Sequence, residues 1–235
     1  MIYSGTSGYS FKEWVGAFYP PKTAVGDFLA YYASKLTSVE INHSFRRFPR
    51  MEIIQSWADA TPGSFKFSFK MHQSVTHMSR LKNVSASVRD FMDNLIPLGP
   101  RLGVVLFQLP PFFRLDLERL DAFLGELPKG HSYAMEFRHD SWNDPEVPVR
   151  LRAAGVALAG AEIEIVENPE VVVTAPFAYV RLRKTPPYTE EEIGRAGELV
   201  RRLSREVQDI YLYAKHDDEG VAPEHVKRIE AAGVT

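Results

Sequence analysis

The densest group of reactive side chains lies between residues 136 and 142. It brings a carboxylate, a guanidinium, an imidazole and an indole into seven positions, as Glu136, Arg138, His139 and Trp142. A carboxylate and an imidazole can act as general acid or base, and both can bind a metal. A guanidinium suits a phosphate or carboxylate. We expect Glu136 and His139 to be catalytic and Arg138 and Trp142 to bind substrate, with structural hydrogen bonding as the alternative role for His139.

Further reactive side chains alternate with apolar ones in short runs. Within 38–42, for example, Val39 and Ile41 alternate with Glu40 and Asn42. Since successive side chains of a strand point to opposite faces, each such run predicts a strand with one apolar and one polar face. The apolar faces should pack against helices, so the polar faces should point inward. The polar positions found in this way near strand ends are Glu40, Asn42, Lys70, Gln108, Glu136, Arg138, Arg181, Arg183 and Lys215, with His216 after the last.

This polar set holds five Lys and Arg residues against two carboxylates. An unpaired buried ion is costly, so the set predicts either a self-compensated network or an anionic ligand that supplies the missing negative charge. We favour the ligand. Glu40 or Glu136 would act as acid or base, and Lys70 as electrostatic stabiliser or Schiff-base nucleophile. The predicted substrate-binding residues are Asn42, Gln108, Arg138, Trp142, Arg181, Arg183, Lys215 and His216.

The elements that position these residues follow from hydrophobic periodicity. Strands are expected at 2–6, 37–42, 65–70, 103–109, 132–138, 156–160, 177–183 and 210–215, and helices at 26–36, 51–60, 84–97, 116–127, 145–154, 189–206 and 222–232. Alternating strands and helices predict a parallel sheet, and eight such units predict one compact (β/α)8 TIM barrel over residues 1–235. Strand-like alternation and a proline within 161–176 predict an irregular sixth crossover. Barrel enzymes place their sites at the carboxyl ends of the strands.

Composition narrows the functional classes. The 235 residues carry a net charge of −2 and no cysteine, which excludes thiol catalysis and cysteine-bound zinc and gives no sign of nucleic-acid binding through net charge. No run of about 18 apolar residues and no signal-peptide pattern occurs, so we expect no membrane contact and a cytoplasmic location. No cofactor is predicted. A divalent metal remains an alternative, with His72, His139, His216, Glu40, Glu136 and Glu162 as its ligands.

Several short motifs together resemble the YecE-like family, a group of TIM-barrel proteins of unknown function. They are Gly5-Thr-Ser-Gly-Tyr9, Phe18-Tyr-Pro20, Val39-Glu-Ile-Asn42, Phe67-Ser-Phe-Lys70, Gln108-Leu-Pro110, Glu136-Phe-Arg-His139 and Tyr179-Val-Arg-Leu182. The resemblance covers essentially the whole chain and implies a barrel with a polar pocket, but no reaction. This chain has Arg183-Lys184 where the family pattern has His-Gly, and Lys215-His216 where it has two asparagines. Both departures suggest a more anionic ligand.

The sequence therefore favours an enzyme that acts on a small phosphorylated or carboxylated molecule, as a hydrolase or as a lyase or isomerase. A metal-dependent phosphodiester hydrolase is one alternative. A non-catalytic barrel that binds a metabolite or nucleic acid is another, although the near-neutral net charge does not favour nucleic acid. Substrate identity and oligomeric state are not predicted.

Overall fold

The computed structural model describes residues 1–162 and 171–234. Its strands are β1 (Ile2–Thr6), β2 (Ser38–Ile41), β3 (Lys66–Lys70), β4 (Leu102–Gln108), β5 (Ser132–Glu136), β6 (Ala157–Leu158), β7 (Gly160–Glu162), β8 (Phe177–Leu182) and β9 (Asp209–Ala214). Its α-helices are α1 (Phe28–Ala33), α2 (Met51–Asp59), α3 (Ser85–Asn94), α4 (Leu117–Glu126), α5 (Glu146–Ala154), α6 (Glu190–Leu203) and α7 (Ala222–Val234). The predicted alternation of strands and helices is confirmed, with most elements a few residues shorter than expected.

The strands form two parallel sheets. One has the order β2-β3-β4-β5-β6 and the other the order β1-β9-β8-β7. Every strand pairing in them is parallel. The first strand of the chain therefore lies beside the last, and helices connect most strands that are consecutive in sequence. This arrangement confirms the α/β class with parallel sheets, and it places the carboxyl ends of neighbouring strands on one side.

The sixth predicted strand is divided between the sheets. Instead of one strand over 156–160, β6 pairs with β5 and β7 pairs with β8. At the edge of β6, the Thr174 side chain accepts from Leu158 N and donates to Val156 O, both at 2.7 Å, which replaces bonds from a neighbouring strand. These contacts are tertiary, so strand periodicity could not reveal the division. The predicted irregular crossover falls mainly on residues 163–170, outside the described residues.

A second junction brings β1 beside β2. A Cβ on Gly5 would lie 1.9 Å from Ser38 O, so this approach requires glycine. Ser4 N donates to Thr37 Oγ1 at 2.9 Å, and Thr6 N donates to the Tyr32 hydroxyl at 2.8 Å. Side chains thus supply hydrogen bonds here that the backbone ladder supplies inside each sheet. We call this junction the seam.

The strand faces separate as the alternation predicts. Outward apolar side chains such as Val39, Phe69 and Phe107 join the core shared with the helices. A second cluster lies on the opposite faces and includes Val104, Leu106, Ala134, Phe177, Tyr179, Tyr211 and Tyr213. The buried carboxylates Glu40 and Glu136 lie on the same side of the sheet as this inner cluster, since they alternate with the outward residues. The fold therefore places charged groups on the inner side of the sheets.

No helix within the described residues is long and apolar enough to cross a membrane.

Candidate functional site

A cavity of about 290 Å³ lies at the carboxyl ends of strands from both sheets. We call it the site cavity. Ligand pockets in proteins usually measure about 300–1,000 Å³, so it suits a small molecule. Its lining includes Ser7, Glu40, Asn42, Lys70, Gln108, Arg138, Arg181, Arg183, Tyr213, Lys215 and His216. Nine of these eleven belong to the set that the sequence predicts; Ser7 and Tyr213 are the additions.

The Glu40 carboxylate from β2 accepts four hydrogen bonds from three side chains. Arg181 from β8 binds it through both ends of the guanidinium, with Nε at 2.8 Å from Oε2 and Nη2 at 2.9 Å from Oε1. The Tyr179 hydroxyl donates to Oε2 at 2.7 Å, and Asn42 Nδ2 donates to Oε1 at 2.9 Å. Glu40 is fully buried, so these bonds replace its lost hydration. They also tie the two sheets together.

These contacts keep both members of the pair charged. Burial raises the pKa of Glu40, but the Arg181 guanidinium and the bonds from Tyr179 and Asn42 outweigh burial and hold the pKa below its ordinary value. Burial lowers the pKa of Arg181, but the two neighbouring carboxylates outweigh burial and raise the pKa above its ordinary value. An ionised Glu40 with all its bonds occupied is a weak candidate for a general acid or base. The geometry assigns it to holding Arg181.

Three guanidinium groups contact the carboxylate of Glu136 from β5. Arg181 Nη1 donates to Oε2 at 2.5 Å, and Arg183 Nη1 lies 3.4 Å from Oε1. Arg138 forms an ion pair with Oε1 and donates through Nη2 to Gln108 Oε1 at 3.1 Å. Glu136 is only 1% exposed, whereas the side chains of Arg138 and Arg183 are 21% and 29% exposed. The two outer guanidiniums therefore keep a face toward solvent or a ligand.

Lys70 at the end of β3 has a different environment. Within the described residues no carboxylate lies within 4 Å of Nζ, which instead lies 4.2 Å from the centroid of the Phe45 ring. Burial lowers the pKa of the amine, and Arg181 lowers it further, while Glu40 and Glu136 only partly oppose them. A half-buried amine without a counter-ion thus faces the site cavity.

The rim of the site cavity is formed by Lys215, His216 and Ser7. Lys215 is exposed and its Nζ donates to Thr185 Oγ1 at 2.7 Å. His216 N donates to Ser7 Oγ at 2.9 Å, its Nδ1 lies 3.1 Å from the same oxygen, and its ring stacks on Phe11. Sequence reasoning missed Ser7, although the Gly5-Thr-Ser-Gly8 turn at the end of β1 pointed to this position.

Of the predicted site residues, Glu136 contacts three arginines that line the site cavity without lining it itself, and two others are not brought to it. His139 is used locally: its Nδ1 accepts from Ser141 N at 3.1 Å and caps the short helix that follows β5. Trp142 is buried, donates through Nε1 to Phe113 O at 2.7 Å and stacks on Phe137. Each side chain has a structural role that explains its presence after β5. Neither lines the site cavity beside Lys70 and the arginines.

The six ligands of the metal alternative do not assemble either. In residues 1–162 and 171–234, no three His, Asp or Glu side chains are grouped so that they could hold a metal ion. The oxygens of Glu40 and Glu136 are bound by guanidiniums, and His72 Nδ1 lies 2.8 Å from Ser74 Oγ. The side chain of Glu162 lies outside the described part. These carboxylates hold cations that belong to the protein itself.

A larger cavity of about 650 Å³ lies at the other ends of β4 and β5. Its lining is mostly apolar or backbone, with Arg89, Asp93 and His131 as the titratable members. No group of charged side chains converges there as around Glu136. By size alone this cavity would be the better candidate for a functional site. Catalysis and ligand binding, however, need converging charged groups, and these are found at the site cavity.

Taken together, three guanidiniums and two amines meet two carboxylates at the site cavity. With the histidine neutral, the charged side chains sum to +3, since five cations oppose Glu40 and Glu136. Such a surplus in a partly buried place favours an anion, which would satisfy the outward faces of the arginines.

Comparison with known proteins identifies relatives along most of the chain. A UPF0759 protein, YecE of Escherichia coli (strain K12), is 31% identical over 140 residues, which is 59% of this chain and 49% of that protein. A second, YunF of Bacillus subtilis (strain 168), is 32% identical over 158 residues, or 62% of this chain and 53% of that protein. The matches span about half the length of these curated relatives.

Solved structures agree on the fold. A DUF72 family protein from Thermotoga maritima superposes with a TM-score of 0.86 at 28% identity and covers 98% of both chains. A xylose isomerase-like TIM barrel in a fusion protein matches 99% of this chain and 43% of its own with a TM-score of 0.53 at 13% identity, which supports a TIM-barrel-like fold alone. The family described as "Protein of unknown function DUF72" matches residues 3–233, so the chain belongs to this family, as its resemblance to the YecE-like proteins predicts.

Proposed function

We propose that the chain is an enzyme that binds a small phosphorylated or carboxylated substrate in the site cavity. The observation that carries the proposal is the surplus of three positive charges where the carboxyl ends of the strands meet. An interior that existed only for stability would be filled with apolar side chains or with balanced ion pairs. A bound anion would supply the missing charge.

The residues divide into those that hold the site and those that meet the ligand. Arg138, Arg181 and Arg183 are all predicted to bind the substrate, but the Arg181 guanidinium is occupied by Glu40 and Glu136, so we assign Arg181 to positioning. Arg138 and Arg183 share one carboxylate and keep exposed faces. These two guanidiniums are the groups that we assign to the anion.

The proposal includes a closed barrel as a single domain. Two junctions support closure: the crossing from β6 to β7, and the seam between β1 and β2. Inside, the Tyr213 hydroxyl lies 2.5 Å from Ser38 Oγ and donates to Ser68 Oγ at 2.8 Å, which links β9 to two strands of the other sheet. A closed interior would give the site cavity a floor of buried tyrosines.

Calorimetric titration with inorganic phosphate and with a sugar phosphate tests the binding. We expect saturable binding to the wild type and about tenfold weaker binding to Arg183→Gln. Arg150→Gln is the matched control, since the side chains of Arg150 and Arg183 are 27% and 29% exposed and both form carboxylate ion pairs. Equal losses in both variants, or binding of a short oligonucleotide without binding of either phosphate, would contradict the proposal.

A further inference from the structure

Lys70 is the one charged group of the site cavity, within the described residues, that has neither an ion pair nor a hydrogen bond to the protein. Each arginine there contacts a carboxylate, and Lys215 bonds to Thr185. The Lys70 amine lies over the Phe45 ring, which offers no lone pair to an N–H. The amine is thus half-buried with a cation–π contact to Phe45 but without a hydrogen-bond acceptor or a counter-ion.

The surplus charge acts differently on the two kinds of cation. A guanidinium stays protonated at any ordinary pH, whereas an amine can release its proton. In a cluster with three more positive charges than negative ones, Lys70 is the half-buried member able to relieve the repulsion by becoming neutral. Burial and Arg181 lower the pKa of Lys70 accordingly. A neutral amine has a free lone pair and is a nucleophile.

The carboxylates do not reverse this effect. Glu40 is held by Arg181, and Glu136 is shared among three guanidiniums, so neither approaches Nζ within 4 Å. The negative charge of both carboxylates is largely balanced by the arginines that contact them. The arrangement keeps the amine apart from the negative charge that would hold its proton, while it leaves Arg138 and Arg183 beside it to bind an anion.

We propose that Lys70 forms a Schiff base with the carbonyl carbon of a small aldehyde or ketone whose phosphate or carboxylate group is bound by Arg138 and Arg183. This inference rests on the proposed function and narrows its substrate class to anionic carbonyl compounds. It also selects a lyase or isomerase over a hydrolase, because an imine activates the neighbouring carbon for proton loss or bond cleavage.

The step balances without a co-reactant. The lone pair of Nζ attacks the carbonyl carbon, and the C=O π electrons move to oxygen, which takes a proton to give a carbinolamine. The nitrogen loses a proton, the hydroxyl is protonated and leaves as water, and the resulting iminium loses its remaining N–H proton to give the neutral imine. Amine and carbonyl thus become imine and water, and nothing is oxidised or reduced. The rim imidazole of His216 can carry the protons, since it lines the same cavity.

Borohydride trapping tests the inference. The protein is incubated with glyceraldehyde 3-phosphate or with uncharged glyceraldehyde, reduced with borohydride, and digested for peptide mass spectrometry. We expect the phosphorylated aldehyde to label Lys70 at least about tenfold faster than glyceraldehyde does, and inorganic phosphate to suppress the labelling. Lys66 is the internal control, because it lies on the same strand but at the other end.

A conservative variant separates this inference from the proposed function. Lys70→Arg keeps the positive charge but cannot form an imine, so it should retain phosphate binding in calorimetry and lose the trapped adduct. Phosphate binding by the wild type without an adduct on Lys70, or labelling of Lys66 as fast as Lys70, would overturn the Schiff base and leave anion binding intact. Absence of phosphate binding, by contrast, would overturn the proposed function.

Discussion

The two ends of the strands use the same inner faces for different purposes. Toward the amino ends the inner face is filled by apolar and aromatic side chains, among them Val104, Phe177 and Tyr211. Toward the carboxyl ends it carries Glu40, Glu136 and their arginines. Both ends lie on the same strands and obey the same alternation. Position along the strand therefore decides whether an inward side chain packs in an apolar cluster or joins the charged network.

Strand β3 shows the difference with a single residue type. At its amino end, Lys66 donates to Pro100 O at 2.6 Å and lies 5.5 Å from the Tyr3 ring centroid. At its carboxyl end, Lys70 has only the face of Phe45. Both side chains are half-buried. A lysine with a partner is explained by the fold, whereas a lysine without one needs an explanation from outside the fold.

The largest effect should come from Arg181→Met at the charged end. This change leaves Glu40 without its main counter-ion and Glu136 without one of its three, both in buried positions. Loss of one partner of a buried pair typically costs about 3–5 kcal/mol. Urea unfolding should show a loss of this size, against about 0–1 kcal/mol for the surface control Arg150→Met. Similar losses in the two variants would mean that the charged end is not a structural network.

A second test uses pH and Glu40→Gln. The folded-state pKa of Glu40 lies below its ordinary value, so its stabilising contribution is complete above about pH 4.5 and is lost as pH falls through the folded-state pKa. Glutamine does not titrate. The stability gap between wild type and variant, about 3 kcal/mol at neutral pH, should narrow on acidification below pH 4.5. A gap that stays constant in urea unfolding down to pH 3 would contradict the ionised pair.

Two inner tyrosines give a smaller, matched comparison. The Tyr179 hydroxyl donates to the Glu40 carboxylate, whereas Tyr211, its register partner on the neighbouring strand, mainly stacks on Tyr3. A hydrogen bond to a charged group contributes about 1.5–3 kcal/mol. Tyr179→Phe should lose about that much unfolding free energy, while Tyr211→Phe should lose almost none. Equal losses would show that the hydroxyl bonded to Glu40 contributes no more to stability than the hydroxyl of Tyr211.

The smallest expected effects differ in sign. Lys66→Met removes a hydrogen bond and should destabilise the protein by about 1 kcal/mol. Lys70→Met replaces a half-buried, unpaired amine by an apolar chain of similar length, so it should be neutral or stabilising by up to about 1 kcal/mol. Thermal or urea unfolding of the pair measures both. Destabilisation by Lys70→Met equal to that by Lys66→Met would give Lys70 a structural role.

The alternation of Val39 and Ile41 with Glu40 made both the strand and its inward charge predictable. Parallel strands align their carboxyl ends, so the inward charges of separate strands could be expected at one place. The ion-pair partners of these charges could not be predicted. Three arginines lie within reach of the two carboxylates, and only the packing decides which arginine pairs with which carboxylate. Arg181 was thus expected to bind a ligand and is instead held by Glu40 and Glu136.

Residues with local roles were the hardest to assign. His139 caps a single turn through Ser141, and a loop histidine that does this has the same sequence appearance as a catalytic one. Ser7 lies in the Gly5-Thr-Ser-Gly-Tyr9 motif, but nothing in that motif indicates that its side chain bonds to His216 at the rim. The division of the sixth strand depends on Thr174, which is distant in sequence from β6. Each case depends on a contact that periodicity does not encode.

The seam between β1 and β2 also has consequences for motion. Its hydrogen bonds run through the Tyr32 and Thr37 hydroxyls, which can release one backbone amide at a time by rotating. A backbone ladder opens cooperatively, whereas these side-chain bonds can break one at a time, so a local opening at the seam would not require either sheet to separate. Thr6, at the end of the seam, directly precedes Ser7 on the rim of the site cavity. Such an opening would widen the site cavity beside Ser7 while the hydrogen bonds between the strands of each sheet stay intact.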